Sequence, residues 1–83
     1  LKMKKVLLKK RAEKDLLKLE KGVRDRVTKK LIDLGIDPLI GKALQGEYGG
    51  YFSLRSWPYR IIYRIGKNEI TIHTIKHRQG SYK

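Results

Sequence analysis

Seven apolar residues, Ala12, Leu16, Leu19, Val23, Val27, Leu31 and Leu34, recur at spacings of three and four and then stop. That period collects them on one helical stripe, and a stripe this long must be buried against something else in the chain. Gly22 interrupts the pattern, and Lys18-Leu-Glu-Lys-Gly22 resembles a helix end followed by a tight turn. Two helices, near 11–20 and 23–35, are therefore expected as an antiparallel hairpin. Gly35 is expected to close the second, and Pro38, with its fixed φ and missing N–H, to forbid its return.

The rest of the chain supplies the surface for that stripe, because its apolar period drops to two. Val6, Leu7 and Leu8, set between lysines, form a short first strand. After the helices, 39–46 reads as a loop with one helical turn, and Gly46, Gly49 and Gly50 punctuate the chain before three strands at 51–55, 59–65 and 69–75. Ser56, Trp57 and Pro58 make the first turn between them, and Gly66, Lys67 and Asn68 the second. Alternation points Tyr59, Ile61, Tyr63 and Ile65 one way and Arg60, Ile62 and Arg64 the other. In the last strand it sets Ile70 and Ile72 against Thr71, His73 and Ile75. The expected fold is α+β, strand-helix-helix-strand-strand-strand, one domain over residues 1–83 with the helix hairpin packed on one face of a small antiparallel sheet. Water covers the other face, where Arg60, Arg64 and His73 would stand.

Charge narrows the range of partners. The 83 residues carry 21 Lys and Arg against 8 Asp and Glu, a formal charge of +13. A small domain so basic attracts polyanions. There is no cysteine, which excludes a disulfide framework and thiolate chemistry and fits a cytoplasmic setting. No run approaches the ~20 apolar residues of a membrane span, and the apolar stretch after Met3, Lys4 and Lys5 is too short for a secretory signal. Neither a membrane nor a small-molecule cofactor is expected as a partner.

The basic residues divide into two populations. Up to residue 41 they interleave with acids at helical spacing, as in Lys14, Asp15, Lys18, Arg24 and Asp25, which describes a solvated helix surface. Beyond it acids are scarce and Arg55, Arg60 and Arg64 sit within strands. Arginine holds a planar fork of donors matched to phosphate oxygens and keeps its charge, so these three are candidate RNA contacts. Lys76, His77 and Arg78 end the last strand and bring an imidazole, which can move protons near neutrality, beside two fixed cations. Tyr82 follows, with a ring on which a base can stack and a hydroxyl that can meet a phosphate. Trp57 is a second stacking candidate, whereas Tyr59 has core parity. His73 and His77, spaced by four without an acidic cluster, do not make a metal site, and no glycine-rich phosphate loop or Ser-His-Asp set can be assembled.

Lys42-Ala-Leu-Gln-Gly46, Tyr51-Phe-Ser-Leu-Arg55, Tyr59-Arg-Ile-Ile-Tyr63, and His77-Arg78 with Tyr82 shortly after, taken in that order, resemble the RelE/ParE superfamily of toxins from toxin–antitoxin modules. The resemblance spans nearly the whole chain and implies the same order of strand and helices. RelE-like members cut mRNA in the ribosomal A site without a metal cofactor, by making the RNA 2′-hydroxyl attack the adjacent phosphate. Carried over by motif, Arg60 and Arg78 would stabilise the transition-state charge and Tyr82 would orient the scissile nucleotide. His77 would serve as acid or base, and Arg55, Arg64 and Lys76 would hold RNA or rRNA. A cognate RelB-like antitoxin is the implied partner. Where several RelE toxins carry a lysine pair and an arginine, this chain has Tyr51, Ser53 and Gln45, so His77 is expected to compensate. Two alternatives stay open: a ParE-like inhibitor of DNA gyrase, and a basic RNA-binding variant of weak catalytic power.

Overall fold

The computed structural model describes residues 3–78. Strand β1 (Lys5–Leu8) leads into helix α1 (Lys10–Leu17) and helix α2 (Lys21–Ile36). A 3-10 turn (Pro38–Ile40) and the two-residue strand β2 (Lys42–Ala43) follow, then a second 3-10 turn (Gly46–Tyr48) and strands β3 (Phe52–Ser56), β4 (Tyr59–Ile65) and β5 (Glu69–His77). The five strands form one sheet in the order β1-β5-β4-β3-β2.

The expected α+β architecture is present, with differences of physical interest. The sheet is mixed, because β1 runs parallel to β5 with Val6 beside Ile70 and Leu8 beside Ile72. The helix pair carries the chain away from β1 to the far edge, and successive antiparallel neighbours bring it back until β5 lies alongside β1. Every residue of the helical stripe joins the core: Ala12, Leu19, Val27, Leu31 and Leu34 are buried, and Leu16 and Val23 pack against them. The break between the helices falls earlier than Gly22, at Lys18 to Glu20, where Leu19 turns inward. Gly22 lies in the first turn of α2 with open space around it. Gly35 is the next-to-last residue of α2, at the end of the helix as expected, but Asp37 and not the glycine caps it. There the strand entry crosses the helix: the Lys4 N–H donates to the Gly35 carbonyl at 2.8 Å, and a Cβ on Gly35 would stand 3.1 Å from the Lys4 carbonyl oxygen.

The largest departure from simple alternation is in β5. Ile62 pairs with Thr74 while the next residue, Tyr63, pairs with Ile72, so His73 and Thr74 together oppose one residue of β4. Such a bulge shifts the side-chain parity of everything after it. Ile75 is thereby a core residue, 4% exposed, beside Ile61, and not a member of the open face. Asp15 of α1 fixes the bulge. One of its carboxylate oxygens accepts from the Thr74 hydroxyl at 2.8 Å and from the Ile75 backbone N–H at 3.0 Å, and the other accepts from Arg11 Nε at 3.2 Å. Burial alone would raise the Asp15 carboxyl, but these hydrogen bonds and the Arg11 charge outweigh it and hold the group below its usual range.

Tyr63 anchors the other side of the molecule. It is fully buried and stacks on Phe52 with ring centroids 5.5 Å apart. Its hydroxyl donates to the Pro38 carbonyl at 2.8 Å and accepts from the Gly41 N–H at 3.1 Å. Burial, with the Asp37 carboxylate adding, pushes the phenol up, so it stays protonated and able to donate. A Cβ on Gly41 would overlap this hydroxyl and stand 2.9 Å from the Ser53 carbonyl oxygen, which is why glycine occupies the position.

Asp15→Asn should cost about 2 kcal/mol, the scale of hydrogen bonds to a charged acceptor. Because the folded carboxyl is depressed, that stability is present above the ordinary carboxylate range and is lost as pH falls through the lower folded value. Urea melts of both proteins between about pH 7 and about pH 2 should therefore converge at the acid end; a gap independent of pH would contradict the assignment. Tyr63→Phe should cost roughly 1–3 kcal/mol by leaving Pro38 and Gly41 without their partner. Gly41→Ala should cost a comparable amount through overpacking. In the double mutant the lost hydroxyl makes room for the methyl, so denaturation should give less than the sum of the two.

Candidate nucleic-acid interface

The sheet face away from the helices carries a row of cations in register. Arg55 of β3 lies directly opposite Arg60 of β4, which lies directly opposite Lys76 of β5. Strand spacing of about 4.8 Å sets these like charges close together, an arrangement that destabilises a sheet unless an anion offsets it. Lys76 joins the row because of the bulge; unbroken alternation would have turned it toward the helices.

A cleft of ≈ 420 Å³ opens over this face, with Ser53, Arg60, Ile62, His73 and Lys76 as its floor and Leu44, Glu47, Tyr48 and Tyr51 from the preceding loop as its wall. A second hollow of ≈ 650 Å³ adjoins it on the side of Ile40, Gly41 and Lys42 and shares Arg60, Ser53 and Leu44. Arg60, half-buried, stands where the two meet. The loop keeps its shape through Tyr63, which pins its start, and through Gly46 and Gly50, whose φ of 70° and 89° L side chains rarely adopt.

At the other end of the cleft three side chains form a cluster. The Tyr51 and His73 rings meet edge to face at 4.8 Å, and the Arg64 guanidinium lies 5.3 Å from the Tyr51 ring centre. Burial lowers the His73 imidazole, and the positive charges of Lys9 and Arg64 lower it further. The ring is consequently held in its neutral form at a pH where an ordinary histidine begins to protonate.

The end of β5 is arranged differently from expectation. His77, on the parity set by the bulge, pairs with Tyr59 on the helix side, with ring centroids 5.3 Å apart at 86°. It is exposed at the end of the sheet, but it does not share the cleft floor with Arg60 and Lys76. Arg78 follows with its guanidinium 4.6 Å from the centre of the Trp57 ring and its N–H bonded to the Pro58 carbonyl at 2.8 Å. Trp57 is 60% exposed, so it serves as a platform for Arg78 rather than as core. Tyr82 lies outside the described residues.

Sequence reasoning thus found the cations of the row and missed the Tyr51–His73 pair and the hold of Trp57 on Arg78. A signal for the first was available. Ile70, Ile72 and Ile75 are spaced by two and then three, with two polar residues in succession, which marks an inserted residue in a strand. Nothing local announced Asp15, which is 59 residues away from Thr74. Among the described residues no group of three or more His, Asp or Glu could hold a metal ion. Among the described residues no helix is long and apolar enough to cross a membrane.

Comparison with known proteins agrees with this architecture. Residues 6–82 match the family described as ParE toxin of type II toxin-antitoxin system, parDE. The chain is 36% identical over 76 residues to Toxin RelG of Mycobacterium tuberculosis, covering 87% of each protein. It superposes on a chain of the toxin–antitoxin complex RelBE2 from the same organism with a TM-score of 0.86 and 33% identity, over 94% of both chains. The archaeal RelE–RelB complex of Pyrococcus horikoshii shares the fold, with a TM-score of 0.80 at 24% identity over 95% of this chain and 99% of that one. The chain belongs to the RelE/ParE superfamily of toxins of type II toxin–antitoxin systems.

Proposed function

We propose that this toxin is an endoribonuclease that cleaves mRNA on translating ribosomes and is held inactive by a cognate RelB-like antitoxin. The observation that carries the reading is the row Arg55, Arg60 and Lys76, in register across three strands beneath an open cleft. Cleavage by the RNA's own 2′-hydroxyl needs a group to take that proton, an acid for the leaving 5′-oxygen, and fixed positive charge for the phosphorane-like transition state. Arg60 answers the last need, flanked by Arg55 and Lys76. Arg78, braced by Trp57, adds a further cation at the same end of the sheet, and Arg64 extends the positive face toward Tyr51. His77 retains the role of acid for the leaving group, at the rim rather than on the floor. Tyr82 is proposed to stack on the scissile nucleotide. The chemistry calls for no metal cofactor, and DNA, which lacks the 2′-hydroxyl, should survive.

The antitoxin follows from charge and kinship. Structural relatives include toxins solved together with their antitoxins, among them the RelBE2 complex. A formal charge of +13 favours an acidic segment that folds as it binds and covers the cationic row. The gyrase-binding reading draws on the ParE description of the matching family and on Tyr51, Ser53 and Gln45, which the resemblance sets where several RelE toxins carry basic residues. An RNA-binding protein without chemistry would leave labelled RNA uncut while its affinity fell steeply with salt.

In cells, the wild type should generate new mRNA 5′ ends at translated codons, and Arg60→Ala should reduce cleavage by about a hundredfold or more. Arg78→Ala should act in the same direction. Equal toxicity of wild type and both variants, with no new 5′ ends, would defeat the nuclease reading. Inhibition of DNA supercoiling by the purified toxin would then favour the gyrase alternative.

A further inference from the structure

Resting on the ribonuclease reading above, we infer that the proton-accepting group of this toxin is His73, held by Tyr51 at the cleft floor, and not the strand-end His77. Geometry separates the two imidazoles. His73 lines the same cleft as Arg60 and Lys76. His77 is turned by the bulge to the helix side, against Tyr59. A base must reach the 2′-hydroxyl of the nucleotide whose phosphate the arginine binds, which requires both groups on one floor.

The surroundings of His73 suit the task. From the loop before β3, Tyr51 presents its ring at 4.8 Å, and Glu47 and Tyr48 line the same cleft. From β4, Arg64 stands over Tyr51 and Arg60 lies on the floor. On β5 itself Lys76 faces the cleft, and the neighbouring Thr74 is tied to Asp15 of α1. Lys9, just before α1, completes the set. Partial burial of the ring, and then the excess of cations over acids around it, favour the neutral imidazole, the form that can accept a proton. Tyr51, whose ring lies edge-on to the imidazole, is a positioning residue.

The step balances without a further reactant. His73 takes the 2′-hydroxyl proton, the 2′-oxygen bonds to phosphorus, and the bond from phosphorus to the 5′-oxygen breaks. The leaving oxygen takes a proton from His77 or solvent, and His73 returns its own to solvent. The products are a 2′,3′-cyclic phosphate and a 5′-hydroxyl.

Single-turnover cleavage of ribosome-bound mRNA, measured across pH, tests the assignment with purified wild type, His73→Gln, His77→Gln and Tyr51→Phe, each first shown to be folded by its thermal melt. On the acidic side the wild-type rate should rise with pH as His73 loses its proton. His73→Gln should cleave at least about a hundredfold more slowly, without that acidic limb. Tyr51→Phe should leave the limb at the same pH, because the ring contact survives, whereas Tyr51→Ala, tested alongside and also first shown to be folded, should move the limb toward higher pH by uncovering the imidazole. His77→Gln should keep the limb. Should His73→Gln cleave like the wild type, or His77→Gln abolish the limb, the assignment is overturned while the ribonuclease reading stands. If the wild type cuts no RNA at all, both fall together. Where His73→Gln does not fold, the imidazole signals of the wild type give the answer instead. The signal of His73 should shift on adding an uncleavable 2′-O-methyl RNA, and an unmoved signal would overturn the idea.

Discussion

A single carboxylate decides which way the functional end of β5 faces. Asp15 reaches from α1 over the edge of the sheet, where β1 has ended, and takes the Thr74 hydroxyl and the Ile75 N–H on one oxygen. A bulge leaves a strand with backbone groups its neighbour cannot satisfy, and an unsatisfied buried donor costs about 1–3 kcal/mol. Without the acceptor, the ladder would gain by expelling the extra residue. Slipping back to strict alternation would turn Ile75 toward water, Lys76 into the core and His77 onto the open face. The present arrangement buries an isoleucine, keeps an ammonium in solvent and completes the cationic row, all from one residue of offset.

Reading the chain from its letters recovers what repeats and loses what happens once. Ala12 to Leu34 kept their period through the break between helices, so the buried stripe was legible even though Gly22 proved irrelevant to the break. Arg60 was legible because alternation around it is unbroken from Tyr59 to Ile65. Ile75 was misassigned because parity was carried through His73 and Thr74 unchanged, and the same unbroken parity would have turned His77 onto the open face. Gly35 shows the complementary failure. A glycine near a helix end suggests a cap, but here it is the close passage of Lys4 and Val6 that would crowd a side chain, and only tertiary structure supplies that neighbour.

The two populations of positive charge owe their difference to surroundings rather than to residue type. On the helices, Arg11 and Lys21 find acids one turn on, Asp15 at 3.2 Å and Asp25 at 3.1 Å. The exposed Lys21–Asp25 pair contributes little, and helical lysines of this kind are a soluble coat. On the open face Arg55 and Lys76 flank Arg60 in register, and Glu47 is the carboxylate at the cleft. Side-by-side cations on a sheet favour any ligand that brings negative charge, and a polynucleotide brings it at a regular spacing along its backbone.

Tyr63 ties this face to the core behind it. Its ring belongs to the buried layer with Ile61 and Phe52, yet its hydroxyl holds Pro38 and Gly41 at the start of the loop whose later residues, Leu44, Tyr48 and Tyr51, wall the cleft. The wall is fixed at its far end as well, since Leu44 N–H donates to the Tyr51 carbonyl at 2.9 Å and so closes the loop on itself. A loop clamped at both ends has few conformations left to lose when a ligand enters, so less of the binding energy is spent on ordering it. The position of Tyr51, and through it the orientation of His73, is therefore a consequence of core packing, and the cleft is formed before any ligand arrives.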